Sequence, residues 1–203
     1  MIRNLIFDVG NVLFEYRWIE ALEDTGLSRQ EAFETGTAML QDDLWVRHDA
    51  ATISTEDMIS EFGKRYPKIA KNIEEFVLHG ERMHIPRPEV WDKVHRLKLA
   101  GYRIYLLSNY SEYLFKMHTD GAPFMDDLDG RLVSYEVHQV KPNADIYETL
   151  IERYDLKPEE CIFFDDRKEN TDTAESLGIK SVTVESREHI NSVLNDILNG
   201  TFV

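Results

Sequence analysis

The chain has 203 residues and a mass of 23.7 kDa, with 42% hydrophobic and 30% charged residues, values that suit one soluble globular unit able to bury a sizeable core. Lys and Arg number 23 against 38 Asp and Glu, a formal charge of −15. A balance that acidic argues against binding nucleic acid through its phosphates and against an anionic membrane surface, and an anionic substrate needs local positive charge to overcome it.

In chain order, the first predicted element is the strand Leu5-Ile6-Phe7, which ends at Asp8-Val9-Gly10-Asn11. No unbroken apolar stretch of the kind a secretory signal needs follows it, and no run approaches the roughly 18 apolar residues of a bilayer span. From about Glu15 to His84 the signals are helical only, with a capping box at Ser28 and Glu31 and a fresh start near Ser54 to Asp57. The simplest parse is a helical cap over residues 16–85, inserted into a core made of 1–15 and 86–203. Pro88 stands at a first helical position, Val90, Val94 and Leu97 follow on one face, and Gly101 stops that helix. Ile104 to Leu107 predicts a second strand ending at Ser108-Asn109, Thr119 to Gly130 reads as loop, and Leu132 to Val137 predicts a third strand with Lys141-Pro142 beyond it. Tyr147, Leu150, Ile151 and Tyr154 share a helical face. Ile162-Phe163-Phe164 predicts a fourth strand ending at Asp165-Asp166, Val182 to Val184 a fifth, and Ile190, Val193, Leu194 and Ile197 a last helix. Strands and helices alternating in this way predict an α/β fold, a Rossmann-like doubly wound parallel sheet. Cys161 is the sole cysteine and sits in an apolar run, so the chain forms no internal disulfide, fits the reducing cytoplasm, and carries a buried rather than a catalytic thiol.

Ligands of such a sheet bind outside the carboxyl ends of its strands, where the sequence places Asp8, Gly10 and Asn11, then Ser108 and Asn109, then Lys141, then Asp165 and Asp166. Singly, each has an ordinary structural explanation: Asp8 caps a helix, Ser108-Asn109 makes a turn, Lys141 is solvated. Two adjacent carboxylates, however, repel unless a cation lies between them. Jointly the set suits phosphoryl transfer, with carboxylates on Mg²⁺, Ser108 and Lys141 on phosphate oxygens, and a carboxylate attacking phosphorus.

Phe7-Asp8-Val9-Gly10-Asn11-Val12-Leu13, Leu107-Ser108-Asn109, Val140-Lys141-Pro142 and Phe163-Phe164-Asp165-Asp166-Arg167 with Asn170 resemble, in order, the four motifs of the haloacid dehalogenase-like hydrolases. The helical insertion is similar to the small cap of the subfamily that includes phosphoglycolate phosphatase-like enzymes. The nearest likeness is to bacterial sugar-phosphatases acting on glucose 1-phosphate. This resemblance implies a Mg²⁺-dependent phosphomonoesterase, acting on a small-molecule phosphate such as a hexose 1-phosphate, as a monomer or homodimer. Asp8 is then the nucleophile, Ser108, Asn109 and Lys141 bind phosphate, and Lys141 also orients Asp8. Asp8, Asp166 and the Gly10 carbonyl hold the metal, with Asp165 assisting.

One position departs from the family pattern. Most phosphatases of the family carry a second Asp two residues after the nucleophile as general acid and base, and here Gly10 stands there. Such catalysis is worth roughly 10² to 10⁴ in rate. Three readings stay open: the leaving group needs little protonation, as an anomeric hydroxyl does; Glu15 or a cap residue delivers the proton; or the protein is a weak enzyme or only binds sugar phosphates. Metal-independent 2-haloacid dehalogenases of the family also lack that Asp, but they typically lack the acidic pair that this sequence keeps at Asp165 and Asp166.

Asp127, Asp129, Gly130 and Glu136 only partly match a Ca²⁺ loop, since Met125 occupies the first-ligand position. The histidines show no zinc-binding spacing, and neither glycine-rich nucleotide fingerprint occurs. Within the insertion, Trp45 reads as cap core, and Arg47 and His48 are candidate substrate contacts.

Overall fold

The computed structural model describes residues 1–202. β1 (Asn4–Phe7), buried throughout, runs into the Asp8–Leu13 loop, and β2 (Phe14–Tyr16) leads out to five helices. These are α1 (Trp18–Glu23), α2 (Arg29–Leu40), α3 (Asp43–Asp49), α4 (Thr55–Arg65) and α5 (Ala70–Leu78). β3 (His84–Pro86) then returns antiparallel to β2, so the two crossings between the helical insertion and the rest of the chain pair with each other. The alternation that follows comprises α6 (Pro88–Leu99), β4 (Arg103–Ser108), α7 (Glu112–Thr119), β5 (Gly130–Val133), α8 (Ser134–Val137) and α9 (Ala144–Arg153). It ends with β6 (Cys161–Asp165), α10 (Lys168–Ser176), β7 (Lys180–Thr183) and α11 (Arg187–Asn199).

The main sheet has the order β5-β4-β1-β6-β7 with every pairing parallel. The chain therefore winds outward in both directions from β1, which puts the topological switch point at the carboxyl end of that strand. Side chains alternate across the sheet. Leu5, Phe7, Leu106 and Phe164 join one core with α6, α11 and the insertion, while Ile6, Tyr105, Leu107 and Phe163 join a second beneath α9. Phe7 stacks on Phe164 with ring centroids 4.8 Å apart, and each such buried side chain contributes about 1.5–3 kcal/mol relative to exposure. Cys161 is fully buried and hydrogen-bonds Asn4 and the Lys157 carbonyl.

The insertion is helical for the reasons the sequence suggests. Ser28 and Glu31 cap α2 reciprocally, and Ser54 caps α4 through the Asp57 amide. Two other expectations need correction. The strand expected over Leu132 to Val137 stops at Val133, where Glu136 folds back to accept the Val133 N–H and pair with Arg131, turning Ser134–Val137 into one helical turn. The stretch expected as loop contains a 3-10 turn at Pro123–Asp127 that drives Phe124 into contact with Phe14 and Trp91. No helix among the described residues is long and apolar enough to cross a membrane.

Close packing of α1 on α2 requires a glycine, because a Cβ at Gly36 would overlap the Trp18 ring. In an open helix Gly→Ala gains about 1 kcal/mol. Gly36→Ala is instead expected to cost about 1–3 kcal/mol from overpacking, read as a lower denaturation midpoint; an unchanged or raised midpoint would contradict the packing.

Candidate active site

β1, β4 and β6 end side by side, and the chemistry gathers where they stop. Ser108, the last residue of β4, donates its hydroxyl to Asp8 Oδ1 at 2.5 Å. Lys141 Nζ lies 3.0 Å from that same oxygen, 2.6 Å from Asp165 Oδ2 and 2.9 Å from the Leu107 carbonyl. These three partners occupy all three ammonium donors, and the side chain is 1% exposed. Burial works against the charge, but Asp165 and Asp8 outweigh it and hold the Lys141 pKa above its ordinary value. The Lys141 backbone is clamped as well: Asn109 donates to its carbonyl at 2.9 Å and accepts its N–H at 2.8 Å.

Asp165 is saturated, since its Oδ1 accepts from the Arg167 amide at 2.8 Å and from Asn170 at 2.9 Å. Asp166 is freer, with Oδ2 accepting from Asn11 Nδ2 at 2.8 Å. Burial pushes its carboxyl upward against that hydrogen bond. Asn11 reaches it from a left-handed backbone, φ 54°, and accepts the Tyr16 N–H through its own Oδ1 at 3.0 Å. Asp8, Asp165 and Asp166 each offer an oxygen within 4.8 Å of the others. Three carboxylates against one lysine leave negative charge uncompensated in a largely buried place, and an all-oxygen set suits a hard divalent cation such as Mg²⁺. Gly10 lines the same space, and a Cβ added there meets nothing within 4 Å. What the position lacks is a proton donor, not room.

Above these groups lies a cavity of about 550 Å³, roofed by Trp18, Leu40, Trp45, Val46 and Asp49 of the insertion. Trp45, 8% exposed, serves both the insertion's core and this roof. Arg47 and His48 do not face it. On α3 the residues Trp45, Val46 and Asp49 point into the cavity, while Arg47 and His48 lie on the opposite side and line a separate hollow of about 810 Å³. His48 is buried against Thr55, at 2.9 Å, and burial pushes its ring down to about 4. Glu15 likewise misses the cavity lining, because alternation along β2 sends Tyr16 there instead. The partial Ca²⁺ motif does not converge: Asp127 pairs with His95, Asp129 with Lys98, and Glu136 with Arg131.

Asp49 carries no sequence motif, yet it is the insertion's one carboxylate in this cavity. Ser134 Oγ donates to its carbonyl at 2.6 Å, and His138 Nδ1 lies 2.8 Å from the next carbonyl, of Ala50. These contacts tie the end of α3 to α8. Its carboxyl is half-buried, and burial together with the charge of Asp8 pushes it up to about 7, against the Ser111 N–H, Arg167 and Lys141.

The arrangement is a doubly wound parallel α/β fold with a carboxylate–lysine centre at the switch point. The family model for haloacid dehalogenase-like hydrolases matches residues 2–178, and the chain belongs to that family. An enzyme of the family from Bacteroides thetaiotaomicron, solved in complex with magnesium and inorganic phosphate, superposes with a TM-score of 0.72 at 24% identity, covering 90% of this chain and 94% of that one. A sesquiterpene phosphatase of Aspergillus oryzae is 25% identical over 174 residues, 86% of this chain and 85% of the relative. A drimenol cyclase of Aspergillus calidoustus is 26% identical over 200 residues, 97% of this chain, which spans only 37% of that longer protein.

The raised Asp49 carboxyl has a consequence for stability. The unfolded chain gives up this proton near the ordinary 3.8 and the folded protein only near 7, so stability is lost as pH rises between them. Asp49→Asn does not titrate. Without divalent cation, its stability relative to the natural protein is expected to climb from pH 4 to pH 7, by on the order of 1–2 kcal/mol after allowance for cavity water. A flat difference across that range in chemical denaturation would contradict it.

Proposed function

We propose that the protein is a phosphatase that hydrolyses a small phosphomonoester through a phospho-Asp8 intermediate. The observation that carries this reading is Asp8 itself, with Ser108 and Lys141 both on Oδ1 beside the three-carboxylate cluster. With both donors on Oδ1, Oδ2 is the oxygen free to approach phosphorus in line. Lys141 and Ser108 then lie within reach of the equatorial phosphoryl oxygens and neutralise charge there as it develops. Asn109 serves mainly to hold Lys141, and its side-chain amide is occupied in doing so.

Asp8, Asp166 and the Gly10 carbonyl would hold Mg²⁺, with Asp165 behind them fixing Lys141. When bound, the cation supplies charge neutralisation for the phosphate dianion in a site that is otherwise acidic. The Bacteroides relative solved with magnesium and phosphate supports this assignment. The dehalogenase alternative gives the three-carboxylate cluster no task. Residues 16–85 would act as a cap that closes over the ester and excludes water.

Within this reading the sequence resemblance favours a sugar phosphate, whose ring could stack on Trp18 or Trp45. A second reading of the substrate, an ester with an apolar leaving group, is favoured by the roof of Trp18, Leu40, Trp45 and Val46 and by the sesquiterpene phosphatase relative. Turnover of a panel containing hexose 1-phosphates and prenyl or aryl phosphates separates the two.

With any substrate of that panel, Asp8→Asn is expected to lower turnover by on the order of 10⁴-fold or more. EDTA should stop turnover and weaken inorganic phosphate binding far more than it lowers the melting temperature. Full activity in either Asp8→Asn or EDTA would sink the mechanism.

A further inference from the structure

Position 10 offers no proton to the leaving group, yet an alkoxide is a poor group to expel. A proton must then come from another side chain that lines the cavity. Lys141 has all three donors bound, and Ser108 donates to Asp8. Tyr110 is paired with His118 Nδ1 at 3.1 Å, and the Tyr16 hydroxyl is directed to Met83 Sδ at 3.6 Å; burial raises both phenols far above neutrality. Arg167 pairs with Glu169. Asp166 belongs to the metal cluster. Asp49 is left: a carboxyl in the roof, outside that cluster, partly exposed into the cavity above Asp8.

Its placement is built rather than incidental. The helix that carries it is latched to α8 at Asp49 itself and at Ala50, and the chain turns sharply just beyond, where Ala51 takes a left-handed φ of 52°. The Ser111 amide, at the N-cap of α7, favours the ionised form of the carboxyl. The charged and titratable groups that act on it are Asp8, Lys141 and Arg167, and it in turn acts on Tyr16 and Tyr110. A carboxyl held near neutrality is matched to acid and base work at physiological pH.

We propose that Asp49, reaching down from the insertion, is the general acid–base of this hydrolase and stands in for the side chain missing at Gly10. This rests on the phosphatase reading above. In the first step a P–O bond forms to Asp8 as the bond to the leaving oxygen breaks. That oxygen takes the Asp49 proton and departs as the alcohol, leaving Asp49 ionised. In the second step water attacks phosphorus and gives one proton back to Asp49, while the Asp8–phosphorus bond breaks and inorganic phosphate leaves. A consequence for substrate choice follows. With a proton donor in place, the leaving group need not be acidic, so an ordinary alcohol ester is within range.

The test compares the kcat/KM of two esters, an alkyl phosphate and p-nitrophenyl phosphate, in the natural protein, Asp49→Asn and Asp49→Glu, all with Mg²⁺ and all checked for folding by thermal unfolding. Because kcat/KM reports the first step, the ratio of alkyl to aryl values is expected to fall by about 10² to 10⁴-fold in Asp49→Asn. It should recover partly in Asp49→Glu and in Gly10→Asp/Asp49→Asn. Acid-quenched Asp49→Asn should also carry more phosphoenzyme with the aryl ester, because its second step lacks a base. Should Asp49→Asn fail to fold, the natural protein suffices: its alkyl kcat/KM should fall with rising pH as the acid ionises, while its aryl value should not. Equal losses on both esters, or no loss, or matching pH profiles, overturn the role of Asp49 and leave the phosphatase reading standing. Failure of the natural protein to hydrolyse either ester with Mg²⁺ overturns both.

Discussion

One ammonium group ties this site together. Lys141 Nζ binds the Leu107 carbonyl of β4, Asp8 beyond β1 and Asp165 at the end of β6, so a single side chain joins the three strands that flank the switch point. Apolar packing of similar volume often serves stability as well as a buried ion pair does, and removing one partner of such a pair costs about 3–5 kcal/mol. Stability alone therefore does not account for the arrangement. What it provides is a fixed position for the Asp8 carboxylate, with one oxygen held by Lys141 and Ser108. Asn109 extends this control to the loop itself, since its side chain grips the Lys141 backbone from both sides.

The two parts of the chain divide the chemistry between them. In the proposed mechanism the parallel sheet supplies the nucleophile Asp8, Ser108 and the carboxylates at or just beyond strand ends, and the loop after α8 supplies Lys141. The insertion supplies the cavity's roof, two tryptophans, two aliphatic side chains and Asp49, which in the proposed mechanism surround the leaving group. Gly10 thus belongs with Asp49 in one account, in which the proton has moved from the loop after β1 to the end of α3. In the proposed mechanism that shift makes proton delivery depend on the position of the insertion over the ester.

Much of the fold was legible because parallel strands buried on both faces read as continuous apolar runs. Leu5-Ile6-Phe7 and Ile162-Phe163-Phe164 are such runs, and the polar residues ending them marked the site. Leu132 to Val137 misled because Tyr135 and Val137 favour strands, while the deciding interaction, Glu136 folding back to Val133 and Arg131, is a side-chain contact that periodicity does not report. In the insertion, Trp45, Arg47 and His48 are neighbours in sequence, and only the rotation of α3 shows that the first faces the cavity and the other two do not. Asp49 took no role from the sequence for a related reason. No motif marks it, and its significance comes from Ser134, Ser111 and Asp8, which are 85, 62 and 41 residues away in the chain and come near it only in the folded protein.

The charge of −15 remains unfavourable to polyanions, but at the site it is partly relocated. Three of the acids cluster where a divalent cation fits, and Lys141 adds a positive charge beside Asp8, so under the proposed function a phosphate ester meets a locally neutralised pocket rather than the global field. The most direct measurement of the whole account is to quench the enzyme during turnover with Mg²⁺ and a phosphate ester, reduce any acyl phosphate with borohydride, and map the altered residue by peptide mass spectrometry. Asp8, and no other carboxylate, should be found reduced. Reduction at a different residue, or turnover with no acyl phosphate trapped at all, would contradict the account.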